Sequence, residues 1–223
     1  MTTPGFGLLF HFTHVDNLPA ILEAGALLSD TVVEEHGLLA TEAGDPAIKY
    51  RRRGQPVTCF PGGCVGDYVP FYFAARSPMM YVLWRGSVPS FTGDHRDLVY
   101  FVGEVDRLVD AGVAFAISDR NAAKAYAAFS DDVSVLGDLA APVPQSTFID
   151  WPLMKETMWK DTPDDPERME RRMAEFLVHG QVPLELLTGV AVRSDDRRAM
   201  VERMFVTSGC GLQVVVRPDW YFP

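Results

Sequence analysis

Glu175 is a carboxylate at the head of an otherwise apolar segment, residues 176–178. If that segment is a strand, its first residue is fixed in space, and a fixed carboxylate can stabilise positive charge that develops on a reacting carbon. An isolated glutamate at a strand end more often points to water, and the spacing alone leaves that alternative open. Glu156, Glu167 and Glu170 have no comparable setting. Glu175 is therefore the candidate catalytic carboxylate.

A second candidate group lies near the N-terminus, where His11 and Thr13 are two residues apart. The apolar run 8–13 predicts a strand, in which such residues share a face, so both side chains can donate hydrogen bonds to one bound ligand. His14 then faces away. A single histidine on an apolar strand is more often a structural residue, and the spacing does not decide between the two interpretations.

Residues 62–82 combine glycines, prolines and aromatic side chains in a way that is unusual for a core strand. Glycine and proline shape the backbone there, and the aromatic rings predict a pocket wall for a flat ligand. Tyr72 is the preferred stacking residue, with Phe71 and Tyr68 as competitors. The alternative is that the phenylalanines are core and the tyrosines present their hydroxyls at the sheet surface.

The basic residues are concentrated in one part of an acidic chain. The formal net charge is -10, yet residues 47–93 contain six basic side chains and one acidic one, which gives this segment +5 and the remainder -15. Such a patch, centred on the run Arg51, Arg52 and Arg53, can hold a short nucleic-acid strand weakly and with strong salt dependence. A solvated helix end explains the same run equally well.

Composition sets the class of protein. The chain has 223 residues, 48% hydrophobic residues and a mean hydropathy near zero, which favours one globular domain, 1–223. Apolar runs are too short for a membrane span and the N-terminus lacks signal-peptide features, so we expect a cytoplasmic protein without a membrane partner. Cys59, Cys64 and Cys210 predict neither a disulfide framework nor a structural zinc. The glycine-rich nucleotide-binding motifs of dehydrogenases and P-loop proteins are absent from the sequence.

Short strands separated by helices would position these groups. Strands are predicted at residues 8–13, 98–105, 174–178, 190–192 and 212–216. Helices are predicted at residues 16–25, 47–53, 119–129 and 195–205, and a fifth is predicted to start at Thr162, Pro163, Asp164 and Asp165. Arg168, Arg171 and Arg172 would lie toward the C-terminal end of that helix and face solvent, and residues 137–146 would form an exposed loop. This irregular alternation predicts an α+β fold.

Five motifs in one order carry a family resemblance. They are HFTH at 11–14, IKYRRR at 48–53, GDYVPFYFAARSPM at 66–79, AEFLVH at 174–179 and DWYF at 219–222. In this order they resemble the DarT family of DNA ADP-ribosyltransferase toxins, over nearly the whole chain. The resemblance implies the ADP-ribosyltransferase fold, a split pair of small, mostly antiparallel sheets with surrounding helices and NAD in the cleft.

The resemblance also implies an activity. The protein would be the toxin of a toxin-antitoxin pair that transfers ADP-ribose from NAD, its co-substrate, to thymine in single-stranded DNA, without a metal. A cognate antitoxin would remove the modification. Guanine in DNA, RNA and protein remain alternative acceptors, and the acidic net charge favours the last two. A non-catalytic nucleotide-binding domain is a third alternative.

The resemblance assigns roles to the candidate residues. Glu175 would be catalytic, and one arginine of the pair Arg51 and Arg52 would stabilise a deprotonated base; we prefer Arg51, where the family's arginine pair begins. The expected NAD-binding residues are His11, Thr13, Asn17, Tyr72, Phe71 and Arg52. The expected DNA-binding residues are Lys49, Arg53, Arg76 and Lys155.

Overall fold

A computed structural model describes residues 7–223. Its strands are β1 (Leu8–His14), β2 (Ala26–Leu28), β3 (Tyr68–Tyr72), β4 (Leu98–Glu104), β5 (Phe115–Ser118), β6 (Phe129–Ser130), β7 (Glu175–His179), β8 (Gln181–Pro183), β9 (Gly189–Val192) and β10 (Val214–Val216). Its α-helices are α1 (Leu18–Ala24), α2 (Asp30–His36), α3 (Pro46–Gly54), α4 (Pro78–Trp84), α5 (Val105–Asp110), α6 (Trp151–Lys155), α7 (Arg168–Arg171) and α8 (Asp195–Ser208).

The strands form a main sheet and a small second sheet. Within residues 7–223 the main sheet has eight strands in the order β10-β9-β4-β1-β3-β7-β5-β6, and the second pairs β2 with β8. Neighbours are antiparallel except for the parallel pair of β9 and β10. The α+β class and the five predicted strands are confirmed.

The main sheet separates at its centre. β1 pairs with β4 along its whole length, whereas the register given for β1 and β3 consists of Phe10 opposite Tyr72. Pro70 explains the separation, because it has no N–H for a ladder bond and its carbonyl instead accepts from the His11 ring (Nδ1, 2.9 Å). The two halves therefore diverge beyond Phe10 and open a cleft between β1 and β3.

Burial fixes β7, the strand that begins with Glu175. Phe176 and Val178 pack in the largest apolar cluster, while Leu177 packs on the other face in a smaller cluster with Tyr68. All three β7 side chains are fully buried. Each contributes about 1.5–3 kcal/mol by leaving water, so the backbone that carries Glu175 is held from both sides.

Helix α3 forms where the sequence predicts it. Asp45 caps its N-terminus by accepting hydrogen bonds from the N–H groups of Ala47 (2.8 Å) and Ile48 (3.2 Å), and Pro46 occupies the first turn. The helix places the basic run beside the cleft.

The predicted helix at residues 119–129 is wrong. After β5 the chain makes turns and reaches β6 without a helical segment. Short polar side chains take the backbone groups that a helix would use: Asp119 accepts from Ala128 N and Asn121 accepts from Ala123 N, both at 2.9 Å. The apolar residues whose spacing suggested a helix do not share one buried face, because Ala122 is buried and Tyr126 is exposed.

The predicted helix start at Thr162 is also wrong, because Thr162 and Asp165 form a bridge with reciprocal backbone bonds and α7 begins only at Arg168.

Contrary to the sequence prediction, Arg172 does not face solvent. It is 4% exposed and donates to the carbonyls of Leu153 (3.2 Å) and Met154. Burial without a carboxylate bonded to it lowers the pKa of this guanidinium to about 10.

No helix within residues 7–223 has both the length and the apolar character of a membrane span. The expectation about signal-peptide features rests partly on residues 1–6, which lie outside the described residues.

Candidate active site

The cleft between the two halves of the main sheet has a volume of about 260 Å³. Its walls come from β1, β3, β7, α3 and the loop 38–45. The polar side chains that line it are His11, Thr13, Asn17, Asp30, Thr41, Glu42, Asp45, Lys49, Arg52, Tyr68, Tyr72, Asn121 and Glu175.

Glu175 is held at the cleft by four hydrogen bonds. Its Oε1 accepts from Arg52 Nη1 (2.9 Å) and from the backbone N–H of Ala122 (3.0 Å), and its Oε2 accepts from Arg52 Nη2 (2.8 Å). Its own N–H donates to Ser118 Oγ (3.1 Å). The side chain is fully buried, so the alternative of a water-facing glutamate is excluded. This is a preorganised carboxylate with one orientation.

Arg52, and not Arg51, reaches this carboxylate. Burial disfavours the charged guanidinium, but the Glu175 charge and its hydrogen bonds outweigh that effect, and the pKa of Arg52 is raised. Successive helical residues point about 100° apart, so Arg51 projects away from the cleft. It is exposed, and within residues 7–223 its guanidinium has no hydrogen-bond or ion-pair partner. The structure therefore favours Arg52 over the Arg51 of the sequence prediction.

Tyr72 lies opposite Glu175 in the β3–β7 register and stacks on Phe12 with ring centroids 6.2 Å apart. Burial and the nearby Glu175 charge raise the pKa of its phenol, which stays protonated. Tyr68 also lines the cleft, with its hydroxyl donating to Gly62 O (2.6 Å). Phe71 points to the other face of β3, where it is fully buried in the main core, so the geometry does not bring it to the cleft.

His11 and Thr13 both line the cleft, but they offer different hydrogen-bonding groups. Burial lowers the pKa of His11, although the bond to the Pro70 carbonyl opposes this, so the ring is neutral at pH 7. Since Nδ1 donates to that carbonyl, Nε2 is an acceptor. Thr13 Oγ1 accepts from Asn17 Nδ2 (2.9 Å) and keeps its own proton to donate. The pair supplies one acceptor and one donor, where the sequence suggested two donors.

Asn17 holds the β1 side of the cleft together. Its Nδ2 donates to Thr13 Oγ1 and to Thr41 O, and its Oδ1 accepts from the N–H groups of Ala40 and Thr41, all at 2.9 Å. Because these four bonds use its full capacity, Asn17 fastens the loop 38–45 to β1. Its geometry suits a positioning residue more than a direct ligand contact.

The four cations expected to bind DNA are all engaged in contacts within the protein. Lys49 bonds to Asp30 and Glu42, and Arg53 bonds to Asp30 (2.7 Å) and to Glu34. Arg76 donates to Tyr221 O (2.8 Å) near the C-terminus. Lys155 donates to Pro142 O (3.0 Å). Neighbouring carboxylates thus neutralise Lys49, Arg52 and Arg53 of the basic patch predicted from the sequence.

Sequence reasoning missed the contribution of the turn region 119–128. The N–H of Ala122 is aimed at Glu175, and Asn121 lines the cleft and donates to Met173 Sδ (3.7 Å). Apolar spacing concealed this turn, but the polar residues Asp119 and Asn121, which favour turns, were the signal that could have revealed it.

A protein-family model described as ssDNA thymidine ADP-ribosyltransferase, DarT, matches residues 10–222. A DNA ADP-ribosyl transferase of Mycobacterium tuberculosis is 36% identical over 218 residues, which cover 96% of this chain and 89% of the relative. A DNA ADP-ribosyl transferase-DNA ADP-ribosyl glycohydrolase fusion protein of Thermosipho africanus is 31% identical over 80 residues, covering 36% of this chain and 20% of the fusion.

Two solved structures of DarT from Thermus sp. 2.9 have the same fold. The complex with ADP-ribosylated ssDNA superposes with a TM-score of 0.86 at 29% identity and covers 100% of this chain and 99% of the other. The complex with NAD+ gives a TM-score of 0.79 at 29% identity and covers 99% and 100%. The predicted ADP-ribosyltransferase fold is confirmed.

Proposed function

This chain belongs to the DarT family of NAD-dependent DNA ADP-ribosyltransferases, and on that premise we propose that it transfers ADP-ribose from NAD to thymine in single-stranded DNA through Glu175 and Arg52. The observation that carries the proposal is the buried, bidentate pair of these two residues at the cleft.

The first half of the reaction breaks the bond between nicotinamide and the ribose C1′ carbon. The electron pair leaves with the nicotinamide nitrogen, and positive charge spreads over the ribose. Glu175 is fixed beside this charge and accepts a hydrogen bond from a ribose hydroxyl, which stabilises the transition state more than the ground state. A carboxylate already bonded to Arg52 and Ala122 needs little reorganisation during the reaction.

The second half forms the bond between the base nitrogen and C1′. The thymine imide nitrogen loses its proton, which passes to the Glu175 carboxylate as the new bond forms. Arg52 lies on the same carboxylate and stabilises the negative charge that develops on the base. This assigns to Arg52 the role that the sequence favoured for Arg51.

The β1 side orients NAD. The His11 acceptor and the Thr13 donor bind complementary groups of the nicotinamide ribose or carboxamide, while the Tyr72 ring stacks on nicotinamide. Asn17 keeps Thr13 and the loop 38–45 in place. Lys49 and Arg53 contribute little to phosphate binding while their carboxylate partners hold them.

A single-stranded substrate suits this chemistry, since pairing hides the imide nitrogen in a duplex. The fusion of a DNA ADP-ribosyl transferase with a DNA ADP-ribosyl glycohydrolase supports a cognate antitoxin that removes the modification. We propose that both act in the cytoplasm, where NAD and DNA meet.

A second candidate function is ADP-ribosylation of RNA or protein. It is favoured by the net charge of -10 and by the carboxylates that neutralise Lys49 and Arg53. The same catalytic pair would serve either acceptor.

One experiment separates these acceptors. The purified protein is incubated with NAD labelled in its ADP-ribose part and with single-stranded DNA, duplex DNA, RNA or total protein. We expect label on single-stranded oligonucleotides that contain thymine, and none on oligonucleotides made of the other three bases. Labelling of DNA that contains only guanine would show that guanine, and not thymine, is the modified base. Labelling of RNA or protein alone would refute the proposal.

A further inference from the structure

Tyr126 is a large aromatic residue that is exposed and yet fixed. Its side chain is 58% exposed. Its hydroxyl donates to Glu170, and the Arg120 guanidinium lies over the ring at 5.2 Å from the centroid. Exposed tyrosines usually lose rotamer freedom when they bind a partner, but here internal contacts have already restricted the ring.

The segment that carries Tyr126 is attached to the active site. Ala122, four residues earlier, donates to Glu175 Oε1 at 3.0 Å, and the backbone N–H of Asn121 donates to Glu170 O at 3.0 Å. The Asp119 side chain closes the segment by accepting from Ala128 N. Tyr126 is therefore part of a rigid turn whose other side holds the catalytic carboxylate.

Arg51 adds an uncompensated cation beside this segment. Its guanidinium has no partner within the described residues, unlike the neighbouring Arg52 and Arg53. Lys124, two residues before Tyr126, pairs with Glu170. Arg52, the next residue of α3, and Ala122 of the turn both donate to Glu175 Oε1, so the helix that carries Arg51 meets the turn at this carboxylate. A fixed aromatic face and an unpaired guanidinium thus lie on the turn and on α3, the two elements that meet at Glu175.

We propose that Tyr126 and Arg51 form the binding surface for the DNA strand, with the Tyr126 ring stacking on a base next to the modified one and Arg51 contacting a phosphate. Stacking on an aromatic side chain tolerates any base sequence, and one or two phosphate contacts suffice for a short strand. This assignment rests on the proposed DNA activity, and it supplies the acceptor contacts that the neutralised Lys49 and Arg53 do not provide.

The test compares Tyr126→Ala and Arg51→Gln with two matched controls. Tyr126→Phe keeps the ring and loses only the hydroxyl, and Arg85→Gln removes an exposed arginine that packs on Trp84. For each variant we would measure transfer to an oligonucleotide over a range of concentrations, and hydrolysis of NAD without DNA.

Tyr126→Ala should raise the KM for the oligonucleotide at least about tenfold, the scale of losing one stacked base, with the saturated rate within about threefold of wild type. Arg51→Gln should raise this KM by a smaller factor and reduce the slope of log affinity against log salt by roughly 0.7. Arg85→Gln should resemble wild type. Tyr126→Phe keeps the ring but loses the bond that restricts it, so it should raise the KM by less than about threefold, and NAD hydrolysis should stay unchanged in all four variants.

The two proposals fail in different ways. If wild-type protein labels no DNA, the proposed function fails and this inference fails with it. If wild-type protein labels DNA but the KM of Tyr126→Ala and of Arg51→Gln equals that of wild type, only the binding surface is refuted. A fall in saturated transfer and in NAD hydrolysis together would show that the turn acts through Glu175, which also refutes the proposed role in DNA binding.

Discussion

The two walls of the cleft differ in the charge of the side chains that they present. The β7 wall presents a charged pair, Glu175 and Arg52, with paired hydrogen bonds in a buried setting. The β1 wall presents neutral groups, His11 and Thr13, each fixed by a further bond to a neighbour. In the proposed mechanism, the charged pair meets the charge that develops during bond cleavage, and the neutral donor and acceptor orient the ligand.

This difference predicts a division of kinetic effects. Groups that meet developing charge contribute mainly to the transition state, so their loss should lower kcat. Groups that hold the ligand equally in both states should change KM. Substitutions in each wall can test the division.

The largest effect should follow Glu175→Gln, which keeps the shape of the side chain but removes its charge. We expect transfer and NAD hydrolysis to fall by roughly a thousandfold, because both pass through the charged ribose. NAD affinity, measured by calorimetry, should change by less than about threefold. Near wild-type turnover would show that the charged wall is not the catalytic one.

Arg52→Lys should lower saturated transfer by about a hundredfold, since lysine cannot reproduce the bidentate contact. NAD hydrolysis should fall about ten times less, because water as acceptor needs no stabilised base anion. Single-turnover assays of both reactions measure this ratio. Equal losses would mean that Arg52 acts only by orienting Glu175. Arg51→Lys, which keeps the charge outside the cleft, is the matched control and should have little effect on either rate.

On the neutral wall, His11→Gln should raise the KM for NAD about tenfold at pH 7.5, with kcat nearly unchanged. The dependence of this KM on pH gives a second test of the His11 acceptor. Burial lowers the pKa of His11, so the neutral acceptor persists above about pH 6.5, and the KM of wild type should rise only as pH falls below that value and the ring gains a proton. The variant should lack this acid limb. An identical profile in both proteins would assign the titration to another group.

The smallest kinetic effect should follow Asn17→Asp. Aspartate keeps the acceptors for Ala40 and Thr41 N–H but cannot donate to Thr13 Oγ1 or Thr41 O. We expect the KM for NAD to rise about threefold and the free energy of unfolding to fall by about 1–3 kcal/mol, as measured by urea titration. Unchanged stability would show that the loop 38–45 does not depend on this residue.

Sequence patterns predicted the parts of the fold that depend on local periodicity. β1, α3, β7 and α8 follow from apolar spacing, caps and glycine stops, but the apolar strand after Glu175 did not decide whether that carboxylate is buried or faces water. The turn region 119–128 was missed because its geometry depends on a long-range bond from Ala122 to Glu175, 53 residues apart in sequence.

The choice between Arg51 and Arg52 illustrates the same limit. Motif order identifies the pair, but helix rotation relative to β7 decides which guanidinium enters the cleft, and that rotation is a tertiary property. The burial of Arg172 could not be predicted either, because the carbonyls that accept its hydrogen bonds lie 18 and 19 residues earlier, in α6. Local sequence gives the residue type and does not give the distant partner.

The carboxylates that hold Lys49 and Arg53 affect how long a DNA strand stays on the protein. Long-range attraction between a strand and this surface is weak, because carboxylates already compensate Lys49 and Arg53 and the whole molecule is acidic. A complex with DNA should then form slowly and last a short time, and each modified strand should leave soon after transfer. Such a protein would visit many single-stranded stretches in succession and would not accumulate on any of them.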